Sequence, residues 1–346
     1  METHDLFLCS CAPDGGISRF ALRPDGSLTP LATWKADRPM YAVPHDGMLY
    51  ALLLSPAAGK AESGAVALRV GKDGGLSAVG GLRMLGGECA CHLAVSPSGK
   101  FLYTANYLSG SVSQLPIGAE GMLGAESRLI RHVGGGVHPR RQEGPHAHCT
   151  VFTPDGKHLC VVDLGLDRIV VYRVDDADGI VEQPVGTCAM EPGSGPRHLA
   201  FSRDGTLAYC ANELESGVTV LEYRDGRLEP LSTYPTLPPS FPGESFCAAI
   251  RVSPCGRRLY VTNRGHDSIA CFSIEGQALR LTGIVGCGGH WPRDFDLSPD
   301  GTLAVCANER SNDVSTFRVD PGSGALTPTG FRHPLATPLC VTFPGT

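Results

Sequence analysis

Long apolar runs are missing from this chain of 346 residues. No stretch of about 18 apolar residues occurs, so no transmembrane helix is expected. Positive charge is not in excess either: 29 Lys and Arg face 35 Asp and Glu, a formal net charge of −6. That balance argues against nucleic acid or a membrane surface as the main partner. Charged residues are scarce at 18%, below the roughly 25% of ordinary soluble domains. Aromatics, at 7%, are few for the large apolar patches of a protein-docking scaffold. The start, Met1-Glu2-Thr3-His4-Asp5, lacks the basic residues and apolar core of a signal peptide, so a cytoplasmic location is expected. Helical periodicity is nearly absent, which excludes an α/β barrel of similar length.

Turn formers are abundant. Gly (44) and Pro (27) make up about a fifth of the chain against roughly 12% on average. Only short elements tolerate so many turns. The 14 cysteines include Cys160, Cys210 and Cys306 inside apolar runs, where a thiol packs as a small hydrophobe. They are expected to be reduced. Cys9-x-Cys11 and Cys89-x-Cys91 lack the paired CxxC spacing of a zinc site, and neither a metal nor a cofactor is expected.

One phrase recurs. It reads Ser96-Pro-Ser-Gly-Lys-Phe-Leu-Tyr-Thr-Ala-Asn106, then Thr153-Pro-Asp-Gly through Asp163, Ser202-Arg-Asp-Gly through Asn212, Ser253-Pro-Cys-Gly through Asn263, and Ser298-Pro-Asp-Gly through Asn308. A degenerate copy spans Pro44 to Tyr50, and a truncated one ends the chain at Thr342-Phe-Pro-Gly-Thr346. The mean period is about 50 residues, the length of a propeller blade. In each copy Pro presets φ and Gly takes the left-handed position of a turn between two apolar strands. A third, alternating strand follows, as in Arg168-Ile-Val-Val-Tyr-Arg-Val174, and a weaker fourth closes the unit.

Innermost strands near residues 42, 93, 150, 199, 250, 295 and 340 predict an all-β, seven-bladed β-propeller of four-stranded antiparallel blades. The seventh unit lacks its second and third strands, and residues 6–10 and 17–22 can supply them. Both chain ends then share one blade, residues 6–22 beside 338–343, with no open sheet edge. The whole chain, 1–346, reads as a single domain.

Such a scaffold hosts many functions, so the polar residues at one channel mouth carry the information. Before the innermost strands stand Gly144-Pro-His146-Ala-His148, Gly195-Pro-Arg197-His198 and Trp291-Pro-Arg293-Asp294. After the second strands stand Asn212-Glu213, Asn263-Arg264-Gly-His266 and Asn308-Glu309. Arg141, Arg197, Arg264 and Arg293 concentrate positive charge on one face of an acidic protein. That suits a small anionic substrate gripped by charge-assisted hydrogen bonds. Each residue has a plainer reading as well: interblade ion pairs for Arg197 and Arg264, an Arg-paired strut for Glu213, and a structural role for His146 and His148. Asn106, Asn212, Asn263 and Asn308 recur in phase, which indicates a repeated turn role.

At these residues the chain resembles the seven-bladed propeller lactonases, the family of propeller-type 6-phosphogluconolactonases and 3-carboxymuconate cyclases. The matching segments are Arg141-Gln-Glu-Gly-Pro-His-Ala-His148, Gly195-Pro-Arg-His-Leu-Ala-Phe201, Asn212-Glu213, Asn263-Arg-Gly-His-Asp-Ser-Ile269 and Trp291-Pro-Arg-Asp-Phe295. The resemblance implies a lactone-hydrolysing or lactone-forming enzyme acting on a small anionic substrate, with hydrolysis of 6-phosphogluconolactone as the leading reading. A muconate-type cycloisomerase is the enzyme alternative, and a non-catalytic scaffold for protein partners the other. It further implies catalytic roles for one or both of His146 and His148 and for Arg197, Glu213 and Arg264. Either Glu213 or His146 would be the base, and Arg197 or Arg264 the oxyanion support. Arg141, Arg293, His198 and His266 are the expected substrate-binding residues. A monomer or weak dimer is expected. The chain departs from the family pattern in Ala57 to Gly80, which is Gly- and Ala-rich, and at Cys91-His92.

Overall fold

A computed structural model describes residues 2–54, 62–72 and 74–344. Part of the Gly- and Ala-rich departure, residues 57–61 and 73, lies outside the described residues, as do the last two residues of the truncated repeat. Seven antiparallel sheets make up the chain, six of four strands and one of five. The fifth strand is the short pair Gly179–Ile180 on the third sheet. Numbered from the N-terminus, the innermost strands of blades one to six are Pro39–His45, Ala90–Val95, Ala147–Phe152, Pro196–Phe201, Phe246–Val252 and Pro292–Leu297. Blade seven takes its innermost strand, Pro338–Thr342, from the C-terminus. That strand pairs with His4–Ser10 near the N-terminus, which pairs in turn with Gly16–Leu22. Closure by both chain ends is therefore as the repeat count predicts.

The recurring turn has a visible cause. Asp155, Asp204 and Asp300 each accept a hydroxyl hydrogen bond of 2.6 Å from the Ser or Thr two residues earlier and a backbone N–H from two residues later. The following Gly takes positive φ, between 68° and 72° in these three copies. Second-strand tyrosines in phase, Tyr50, Tyr103, Tyr209 and Tyr260, fill the spaces between blades and are almost wholly buried. Large buried side chains of this kind contribute about 1.5–3 kcal/mol each. The in-phase asparagines are buried as well; Asn106 and Asn308 donate to side chains of the third strand of their own blade.

All seven blades share one irregularity: the register slips near the start of the innermost strand. Bulges re-aim side chains and are common beside active sites. The residues left without a cross-strand partner are Met40, Cys91, His148, Arg197, Ala248–Ala249, Arg293 and Leu339. Arg197, His148 and Arg293 thus lie within the innermost strands and not ahead of them, as spacing alone suggested. One arc of this ring is apolar and the other carries His148, Arg197 and Arg293.

Candidate active site

Glu213 is the centre of the polar arc. It follows the second strand of blade four, and its backbone N–H donates to the Gly195 carbonyl at 2.7 Å, which ties it to the strand bearing Arg197. Gly195 has φ of +61°, and a Cβ there would fall 2.4 Å from Leu214 Cγ. Only glycine fits this turn without displacing Leu214. Three blades then send guanidiniums to one carboxylate. Arg264 Nη2 lies 2.7 Å from Glu213 Oε2, Arg197 Nε lies 3.0 Å from the same oxygen, and Arg141 Nη2 meets Oε1. Backbone carbonyls hold the arginines: Arg197 Nη1 donates to Ala248 at 2.8 Å and Arg264 Nη2 to Cys247 at 3.0 Å.

Burial penalises each of these charges, and the outcome differs by residue. For Glu213, burial opposes ionisation, but Arg264 and Arg197 prevail and hold the carboxyl well below the usual carboxylate range. For Arg197, burial and the repulsion of Arg264 outweigh Glu213 and bring the guanidinium down to about 10. Burial also lowers Arg264. His148 is pushed well below the ordinary histidine value, first by burial and then by Arg197, so its ring is neutral at pH 7. His198 is lowered in the same way, and its Nε2 accepts a hydrogen bond of 3.0 Å from Arg197 Nη1. His92 follows, down to about 3 by burial.

The two histidines of the Gly-Pro-His-Ala-His segment stand in different places. His146 stacks on Tyr107 with ring centroids 4.5 Å apart; its Nδ1–H donates to the Tyr107 carbonyl and its Nε2 lies 3.3 Å from Glu143. His148 sits deeper, with its ring edge-on to Tyr107 and to His198 and its Nδ1 3.7 Å from Cys91 Sγ. Its Nε2 makes no hydrogen bond with the described residues. Arg293 pairs with Glu309 at 3.3 Å and, with Arg197, His198, Cys91 and Met40, lines a narrow cavity of about 10 Å³.

Three of the sequence-predicted residues, Arg141, Arg197 and Arg264, thus meet at a fourth, Glu213. His148, His198 and Arg293 border them, and His146 stands one ring outward. His266 is not brought into the group: its Nδ1 bonds Ser268 Oγ at 2.7 Å and its ring packs edge-on against Phe241. Spacing alone overlooked Tyr107, whose hydroxyl lies 3.4 Å from Arg141 Nη2. The signal was present, because Tyr107 follows Asn106 as Glu213 follows Asn212. His92 was also overlooked.

Residues 7–343 match the family model described as lactonase, 7-bladed beta-propeller. The chain belongs to this lactonase family. The propeller lactonase is 34% identical over 286 residues to the 6-phosphogluconolactonase of Bacillus subtilis, covering 82% of this chain and 81% of that one. Among solved structures, a protein from Lactobacillus plantarum matches with a TM-score of 0.91 at 30% identity, over 99% of each chain. The periplasmic gluconolactonase of Pseudomonas aeruginosa matches with a TM-score of 0.90 at 29% identity, again over 99% of each.

Proposed function

We propose that this propeller lactonase hydrolyses a small anionic sugar lactone, with 6-phosphogluconolactone as its substrate. The observation that carries the reading is the meeting of three guanidiniums on Glu213 beside the neutral ring of His148. Four guanidiniums (Arg141, Arg197, Arg264, Arg293) answer two carboxylates (Glu213, Glu309), which leaves a positive mouth on an acidic protein. The names of the Bacillus and Pseudomonas relatives support lactone chemistry.

Glu213 has both oxygens committed to cations and is a poor proton acceptor, so its task is to position the arginines. His148 takes a proton from water at Nε2; burial and Arg197 oppose the imidazolium that forms, and the Glu213 charge favours it. The water oxygen bonds to the lactone carbonyl carbon, and Arg197 and Arg264 face the oxyanion. Collapse breaks the ring C–O bond, and the leaving ring oxygen takes the proton back from His148 as an alcohol.

The test is proton release by purified protein from 6-phosphogluconolactone and glucono-δ-lactone, measured above the uncatalysed rate. Acceleration of the phosphorylated lactone supports the reading. No acceleration of either lactone, or turnover of a carboxymuconate in their place, overturns it.

A further inference from the structure

Every arginine of the buried group spends its charge on a carboxylate. Arg310 does not. It stands exposed at the same mouth, one residue past Glu309, and no carboxylate among the described residues pairs with it. Its guanidinium carbon lies over Trp291, 3.3 Å from the ring centroid. Stacking on an indole stabilises the cation and fixes its plane while leaving the N–H edge free to donate. Trp291 also faces the buried group, with Arg264 Cζ 5.6 Å from its centroid and the Phe246 ring at 6.2 Å. One indole is therefore shared by an exposed guanidinium at the rim and the guanidinium that touches Glu213.

The platform is held under strain. Trp291 has φ of +64°, an outlier for a bulky residue. Its backbone N–H donates to Asp267 Oδ1 at 2.8 Å, and Asp267 Oδ2 holds the neighbouring His290 Nδ1 at 2.8 Å. Strain of this sort persists where the surroundings over-determine it and clusters at binding sites. Asp267 thus holds the main chain at Trp291 in this conformation, and the indole carries Arg310.

We propose that Arg310, laid on Trp291, is the specificity-determining residue that takes the exocyclic phosphate of the substrate, with the lactone ring directed inward to Arg197 and Arg264. This assignment rests on the sugar-lactone reading above. A phosphate dianion needs in-plane N–H donors not already neutralised, and Arg310 supplies them.

Two measurements test it on the full chain. The first is the ratio of kcat/KM for 6-phosphogluconolactone to that for glucono-δ-lactone. Arg310→Gln should lower this ratio roughly 10- to 100-fold, mainly through KM, as loss of a charged hydrogen bond implies, and Arg310→Lys should restore part of it. The second is calorimetric binding of 6-phosphogluconate against gluconate, which needs no turnover. Wild type should prefer the phosphorylated acid and Arg310→Gln should lose most of that preference. An unchanged preference in the variant, by whichever measurement applies, overturns the assignment; so does a wild type that does not distinguish the two acids. Arg310-dependent binding of 6-phosphogluconate without hydrolysis of any lactone sinks the proposed reaction and leaves the phosphate site standing.

Discussion

Arg197 Nε stands 3.0 Å from Glu213 Oε2, yet its N–H is not aligned on that oxygen. The contact is an ion pair without a proper hydrogen bond, and Arg197 keeps a donor uncommitted to the carboxylate. Arg264 differs in its hold, with Nη2 closer to the same oxygen at 2.7 Å and donating to the Cys247 carbonyl. One carboxylate thus keeps two cations together in a buried space without exhausting their donors. That is the arrangement an oxyanion requires: charge and N–H groups fixed before the reaction begins.

Glu213→Gln is expected to damage stability and rate together. It leaves three guanidiniums facing a neutral amide, two of them deeply buried. Breaking a buried pair from one side costs about 3–5 kcal/mol, so Tm should fall by several degrees. The pH dependence has a definite sign. The folded pKa is depressed, so the stabilisation is present above the ordinary carboxylate range and is lost as pH falls through the folded value. The advantage of wild type over the variant should therefore narrow as pH falls, and melts of both proteins between about pH 3 and 7 should draw together towards the acid end. Equal Tm values at pH 7 would mean that Glu213 is not the counter-ion of this group.

Arg264→Lys keeps the charge but replaces a planar fork with a point donor. Arg264 makes two contacts through Nη2 and approaches Trp291, a geometry that an ammonium cannot reproduce. A fall of about 30- to 1,000-fold in kcat/KM is expected, by analogy with removal of an oxyanion donor. Comparison with the melting temperature discriminates between roles. Near-normal kinetics with a clearly lower Tm would make Arg264 an interblade strut and remove it from the chemistry.

Most of the propeller was legible because its signals are local. The recurring Pro-Asp-Gly turn, the in-phase asparagines and the partial seventh unit each follow from neighbouring residues. The cluster was legible only in part. Arg197, Glu213 and Arg264 break the repeat and so draw notice, whereas Tyr107 at the equivalent position looks like another aromatic. His266 shares the Asn-Arg-Gly-His segment with Arg264, yet the turn after the strand sends it to Ser268. The innermost bulges are not visible in sequence, because register is set by pairing between strands. They decide that His148 and Arg197, not the residues before them, stand at the channel.

His148 and His146 should separate by kinetics. His148 has an uncommitted Nε2 beside the arginine group, whereas both nitrogens of His146 have partners, the Tyr107 carbonyl and Glu143. His148→Gln should lower kcat by about 100- to 10,000-fold, the range of general acid–base catalysis, and His146→Gln by much less. The reverse order of effects would move the proton-accepting role to His146.

The last expectation concerns pH and lies deeper in the channel, where Arg251 serves two carboxylates. Its Nη2 is 3.1 Å from Asp294 Oδ1 and its Nε is 3.2 Å from Asp296 Oδ1, while Asp294 Oδ2 also accepts the N–H of Val341 in the closing strand. One cation does not fully offset two buried anions. Burial, with repulsion from Asp294 added, outweighs Arg251 and raises Asp296 to about 6. The folded state then holds a proton that the unfolded chain releases, so this stabilisation is complete below the ordinary carboxylate value and is lost as pH rises through about 6. A two-unit shift corresponds to about 3 kcal/mol as an upper figure. Asp296→Asn retains an acceptor for the Leu297 N–H, which Asp296 Oδ1 now takes at 2.9 Å, and cannot ionise. Its stability relative to wild type should therefore be higher at pH 8 than at pH 5, roughly two units above and one below the folded value. Denaturant melts of both proteins at the two pH values measure this. A difference that does not change with pH would show that Asp296 is ionised throughout, with Arg251 neutralising it as well as Asp294.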